Sequence, residues 1–66
     1  MITKYSRHAR EQIIARGISE KEIADGIARG SKELQKPGKV LSHYRYFCAV
    51  YKKIRKDAYI ITVKPR

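Results

Sequence analysis

Residues 5–19 read YSRHAREQIIARGIS, and both ends of this stretch carry helix-terminating signals. Ser6 has the side chain of an N-cap, able to accept a free amide of the first turn, and Gly17 stands where a left-handed residue commonly ends a helix. A helix is therefore expected over about 7–16. Ser19 and Glu22 have the spacing of a capping box, with Ile18 and Ile23 placed as its hydrophobic staple, so a second helix should run over about 20–29 and stop at Gly30. Ala9, Ile13 and Ile14 would form the inward face of the first helix. Ile23, Ala24, Ile27 and Ala28 would form that of the second.

Beyond Gly30 the pattern becomes extended. A weak strand is expected over 32–36, and KPGK at 36–39 is a turn signal, because proline presets one backbone angle and glycine permits the next. Tyrosines and β-branched residues predict a strand over about 40–53, IRKD a hairpin loop, and AYIITVK a strand over 58–64. ITK near the N-terminus can add an edge strand. YFCAVY at 46–51 is apolar on both strand faces, which marks a central position. The expectation is a single α+β domain, 1–66, with two N-terminal helices on one face of a small antiparallel sheet of three or four strands.

A chain of 66 residues buries only about 60% of its unfolded surface and can build one thin core. Its single cysteine, Cys48, cannot form an intramolecular disulfide, and no secretory-type apolar segment is recognisable, so a cytoplasmic setting is expected. No apolar run reaches membrane-spanning length. The formal net charge is +10 and is unevenly spread. Residues 1–31 carry six Lys or Arg against four acids, whereas residues 32–66 carry ten against two. So basic a chain attracts polyanions through counterion release, and nucleic acid is the commonest of these.

Three groups of residues can carry chemistry. His8, Gln12 and Arg16 are spaced i, i+4, i+8 and form one polar strip. The helix N-terminus, together with Arg7 and Arg10, disfavours a positive charge on His8 and would leave it neutral, available as a base. The alternative role for His8 is to bond a strand carbonyl and tie the helix to the sheet. The second group is SHYRYF, 42–47, where aromatics beside cations suit stacking on unpaired bases and contact with phosphates. If that segment is one strand, Ser42, Tyr44 and Tyr46 share a face, with His43, Arg45 and Phe47 on the other. The third group is Thr62 and Lys64 on the last strand, with Lys52 and Lys53 adding cations. Metal sites are not expected. The six acids are scattered, and His8, His43 and Cys48 lack the paired spacing of a zinc site. A helix-turn-helix reading is disfavoured because the second helix would present Glu20, Glu22 and Asp25 to phosphate.

SRHAREQIIARGIS resembles the opening of the family known as domain of unknown function 4258, S-x-H-A-x-x-R-x-x-x-R-G-[IV]-S, and YIITVKP resembles its closing strand. Ser6, His8, Ala9, Arg16, Gly17, Ile18 and Ser19 fit the pattern, while Gln12 stands where the family usually has arginine. The resemblance implies kinship with RelE- and BrnT-type toxins, small helix-plus-sheet ribonucleases of toxin–antitoxin systems. The activity then expected is metal-independent RNA cleavage or RNA binding; the reading of the residues themselves makes His8 the base, puts Arg16 and Arg45 on phosphate, and makes His43 or Lys64 the acid. Arg7, Arg10, Tyr44, Tyr46, Lys52, Lys53 and Lys64 would bind the RNA. The alternatives are a non-enzymatic nucleic-acid-binding module and an interaction domain for an acidic protein. Expected partners are RNA, including ribosome-associated mRNA, an acidic antitoxin-like protein and a second copy of the chain. No cofactor and no membrane partner are expected.

Overall fold

Ser6, Gly17, Ser19 and Gly30 each stand at a helix end in the computed structural model, which describes residues 3–35 and 37–66. Helix α1 spans Arg7–Arg16. The Ser6 hydroxyl accepts the Ala9 amide at 3.0 Å, and Gly17 closes the helix with φ 66°, a conformation that suits a residue without Cβ. Helix α2 spans Glu20–Arg29 and opens with the full capping box. Ser19 Oγ accepts the Glu22 amide, and Glu22 Oε1 accepts the Ser19 amide, both at 3.1 Å.

Five strands follow the two helices or precede them: β1 (Thr3–Tyr5), β2 (Ser31–Gln35), β3 (Lys39–Tyr44), β4 (Phe47–Ile54) and β5 (Asp57–Pro65). They form one sheet in the order β1-β5-β4-β3-β2, with β4 between β3 and β5 as its apolar character requires. The architecture is thus α+β with a five-stranded mixed sheet rather than an antiparallel one of three or four strands, because β1 joins β5 in parallel. The strand expected over 40–53 is two strands folded at Arg45–Tyr46. That turn carries none of the Gly, Asn or Asp that usually mark a two-residue hairpin loop, and Arg45 itself takes φ 51°. The last residue of the strand expected over 32–36, Lys36, and Ile2 of the N-terminal ITK lie outside the described residues.

Both helices cover the same sheet face. Ala9, Ile13, Ile18, Ile23 and Ile27 pack there against Phe47, Ala49, Tyr51, Ala58, Ile60 and Val63. Ile14, expected to face inward, is 79% exposed, and Ala24 and Ala28 are exposed as well. Gly26 takes the inward position on α2. A Cβ there would meet the Phe47 ring at 3.1 Å, so the missing side chain lets the helix approach the sheet closely. The Ser42 hydroxyl, fully buried, donates to the Gly26 carbonyl and secures the same contact. No helix among the described residues is long and apolar enough to cross a membrane.

The junction of α1 with the sheet is made by Ser6, not by His8. The Ser6 amide donates to Ile60 O at 2.9 Å and its hydroxyl to Ile61 O at 2.7 Å. In a regular strand successive carbonyls point to opposite sides, so both can reach one residue only where the pleat is broken. It is broken there: Tyr51 pairs with Ile60 and Val50 with Thr62, leaving Ile61 as the extra residue of a β-bulge. Ser6→Ala should lower stability by about 1–2 kcal/mol, as loss of an N-cap and of a bond to a strand carbonyl requires. Urea denaturation followed by far-ultraviolet circular dichroism measures this, and an unchanged midpoint would contradict it.

Candidate nucleic-acid interface

Among the described residues no helix covers the sheet's other face. Cross-strand register defines which side chains share it, because directly paired residues project to the same side. Lys4, Tyr59 and Lys52 form one row across β1, β5 and β4. Thr62, Val50, Leu41 and Glu33 form the next across β5, β4, β3 and β2, and Lys64, Cys48, His43 and Ser31 the third. Leu41 and Val50 of the middle row and Cys48 of the third make a small buried floor. Lys52 and Cys48 are four positions apart on β4, about 13 Å along the strand. Lys39, at the start of β3, adds a further cation to this face, since it alternates with Val40, which packs on the helix side.

His43 lies on this face with its side chain about a quarter exposed, and its Nε2 is 3.0 Å from Glu33 Oε1. With a proton on Nε2 donated to the carboxylate, Nδ1 is left as an acceptor, the arrangement in which a carboxylate orients an imidazole for proton transfer. Cys48 separates His43 from Lys64 in the same row. Burial pushes the Cys48 thiol above its ordinary range, outweighing the lowering effect of Lys64. A buried thiol held protonated is a poor nucleophile.

The expected site residues are divided among three places. His43, Lys52 and Lys64 occupy the open face. Tyr44, Arg45 and Tyr46 gather on the helix side, around the start of α2. Tyr44 packs edge-on against Phe47, Arg45 lies over the Tyr44 ring at 5.3 Å, and the Tyr46 hydroxyl donates to Glu22 Oε2 at 3.0 Å. The Glu22 carboxyl is held below its ordinary range, first by the Ser19 amide and then by Tyr46. Tyr44 and His43 therefore do face opposite ways, but the turn sends Phe47 to the same side as Tyr44. Lys53 also projects to the helix side, where it borders a cleft with Ile27, Lys32, Tyr51 and Ala58.

The third place is the outer surface of α1. His8 and Arg16 are exposed there, and Arg16 Nε donates to Gln12 Oε1 at 3.2 Å, so the polar strip exists as read. Among the described residues His8 has no hydrogen-bond partner. Arg7 pairs with Glu11 at 3.6 Å, and Arg10 lies over the Tyr5 ring at 5.6 Å. The sheet stands between this strip and His43 with Lys64, so a base at His8 and an acid at His43 or Lys64 do not form one site. Among the described residues no three His, Cys, Asp or Glu side chains gather as a metal site.

A model of the family described as domain of unknown function (DUF4258) matches residues 5–64, almost the whole of this fold. The chain belongs to the DUF4258 family. No curated protein and no solved structure matches it. Two features of the DUF4258 chain's open face escape a reading of the sequence: Tyr59 and the His43–Glu33 couple. Strict alternation would put Tyr59 on the opposite face of the sheet from Thr62 and Lys64, and only the bulge at Ile61 puts all three on one side. Glu33 becomes visible as a partner only once β2 is paired with β3.

The burial of Cys48 makes a prediction of its own. Ellman's reagent should modify Cys48 slowly in native buffer and rapidly in denaturant. Fast native modification would contradict the closed floor.

Proposed function

We propose that this DUF4258 protein binds RNA across the open face of its sheet and is of the RelE-like toxin type. The observation that carries this reading is the sorting of charge between the two layers. Glu11, Glu20, Glu22 and Asp25 all lie on the helices, whereas the open face holds Lys4, Lys39, Lys52 and Lys64 against two acids, Glu33 and Asp57. A cationic face with an exposed aromatic ring suits a flexible, unpaired strand, whose phosphates meet the lysines while a base meets the ring. Two helices on one side of a sheet support the toxin-type reading as architecture, which by itself carries no activity. An acidic antitoxin-like protein would compete for the same face.

Metal-independent cleavage is a second reading, favoured by the His43–Glu33 couple. In such a reaction the ribose 2′-oxygen bonds to the adjacent phosphorus while the bond to the 5′-oxygen breaks. A base takes the 2′-proton, an acid returns one to the leaving oxygen, and cations stabilise the phosphorane charge. In this reading His43 takes the 2′-proton and returns it to the leaving 5′-oxygen, and Lys64, two strands away, meets the phosphate. His8 takes no part in this version, since the sheet separates it from the cations of the open face.

Binding should weaken as salt rises, and Lys64→Ala and Lys39→Ala should each reduce both the affinity and the salt slope, the slope by about 0.7 for a single strand. Arg7→Ala should leave both unchanged. Fluorescence anisotropy with labelled single-stranded RNA measures this, and affinity indifferent to salt and to the lysines would overturn the reading. In buffer containing EDTA, His43→Ala should slow cleavage by about a hundredfold or more while His8→Ala does not. Equal cutting by wild type and His43→Ala, or none by either, ends the cleavage reading and leaves binding standing.

A further inference from the structure

Four of the five tyrosines have ring or hydroxyl engagements that account for their presence. Tyr5 lies beneath Arg10, Tyr44 beneath Arg45, Tyr46 bonds Glu22 and meets Phe47 edge-on, and Tyr51 is buried in the core beneath the helices. Tyr59 is different. It is 36% exposed, projects from the open face, and among the described residues has neither a cation over its ring nor a hydrogen-bond partner for its hydroxyl. Its direct neighbours are Lys4 on β1 and Lys52 on β4, one on each side of it in the same row and both exposed.

We infer that Tyr59, flanked by Lys4 and Lys52, is a stacking subsite for one unpaired base of single-stranded RNA. This rests on the RNA-binding reading and deepens it by naming where a base is held. The aromatic face supplies attraction without sequence preference, since every base has a π face. The lysines sit one strand away on either side, about 4.8 Å across the sheet, so the phosphates before and after the stacked base meet a cation each. Thr62, partly exposed, lies on the same strand between this row and Lys64. The base of a duplex is already stacked and paired, and it gains nothing from such a ring.

The chain has no tryptophan, so Tyr59→Trp introduces a single indole reporter at the site. Titration with a short oligoadenylate should quench its emission while affinity stays at or above that of wild type. Tyr59→Phe should bind as wild type does, and Tyr59→Leu should bind about five- to a hundredfold more weakly with native circular dichroism. The corresponding duplex should compete poorly. Unchanged affinity in Tyr59→Leu, an unquenched indole, or better competition by duplex overturns the subsite. If Lys64→Ala still weakens binding in that case, RNA binding through the face survives without it. If wild type binds no RNA at all, both fall together.

Discussion

The Ser6 hydroxyl is bonded in two directions, accepting from the Ala9 amide and donating to Ile61 O. One side chain therefore starts α1 and fastens it to the middle of β5. The bond to Ile61 falls at the bulge, where an extra residue reverses the alternation of everything that follows it in β5. Before the bulge, Ile60 faces the helices and Tyr59 faces outward. After it, Val63 faces the helices and Lys64 faces outward. Without the bulge, either Val63 would leave the core or Tyr59 would leave the cationic face. Core packing and the composition of the open face thus share a single local irregularity, and the α1 cap holds it.

The two layers then divide the charge. Helices tolerate acids well in their first turn, where the macrodipole favours them, and α2 begins with Glu20 and Glu22. Glu22 also draws the Tyr46 hydroxyl to the helix side, so the β3–β4 turn folds towards α2. Among the described residues the uncovered sheet face carries lysines, the His43–Glu33 couple, the Tyr59 ring, and Ile54 beside Asp57 at its edge. The floor of Leu41, Cys48 and Val50 stays buried among neighbouring side chains of the same face, with no helix of the described residues over it. Long lysine stems are well suited to shielding such a floor while their ammonium groups remain in water.

Helix ends were the most legible part of the sequence because each is set by a short local contact: Ser6 with Ala9, Ser19 with Glu22, and the left-handed Gly17. The central strand was legible from its double-sided hydrophobicity. The β3–β4 turn was not, because Arg45 adopts a left-handed conformation that its side chain does not advertise, and the tertiary contacts of Tyr44, Tyr46 and Phe47 around α2 hold it there. The open-face site was hidden for a related reason. Tyr59, Lys64 and His43 come together through strand register and a bulge, both long-range properties. His8 drew attention through its arginine neighbours, but folding leaves it on the outer surface of α1, while the tie to the sheet that it was a candidate to make belongs to Ser6.

The central claim is that RNA meets the open face of the sheet rather than the outer strip of α1. Backbone amide chemical shifts followed during titration with single-stranded RNA locate the contact directly. The account predicts that shifts concentrate at Lys4, Lys52, Thr62, Lys64 and His43, with His8, Gln12 and Arg16 unmoved. Shifts centred on His8 to Arg16, with the open face silent, would contradict it.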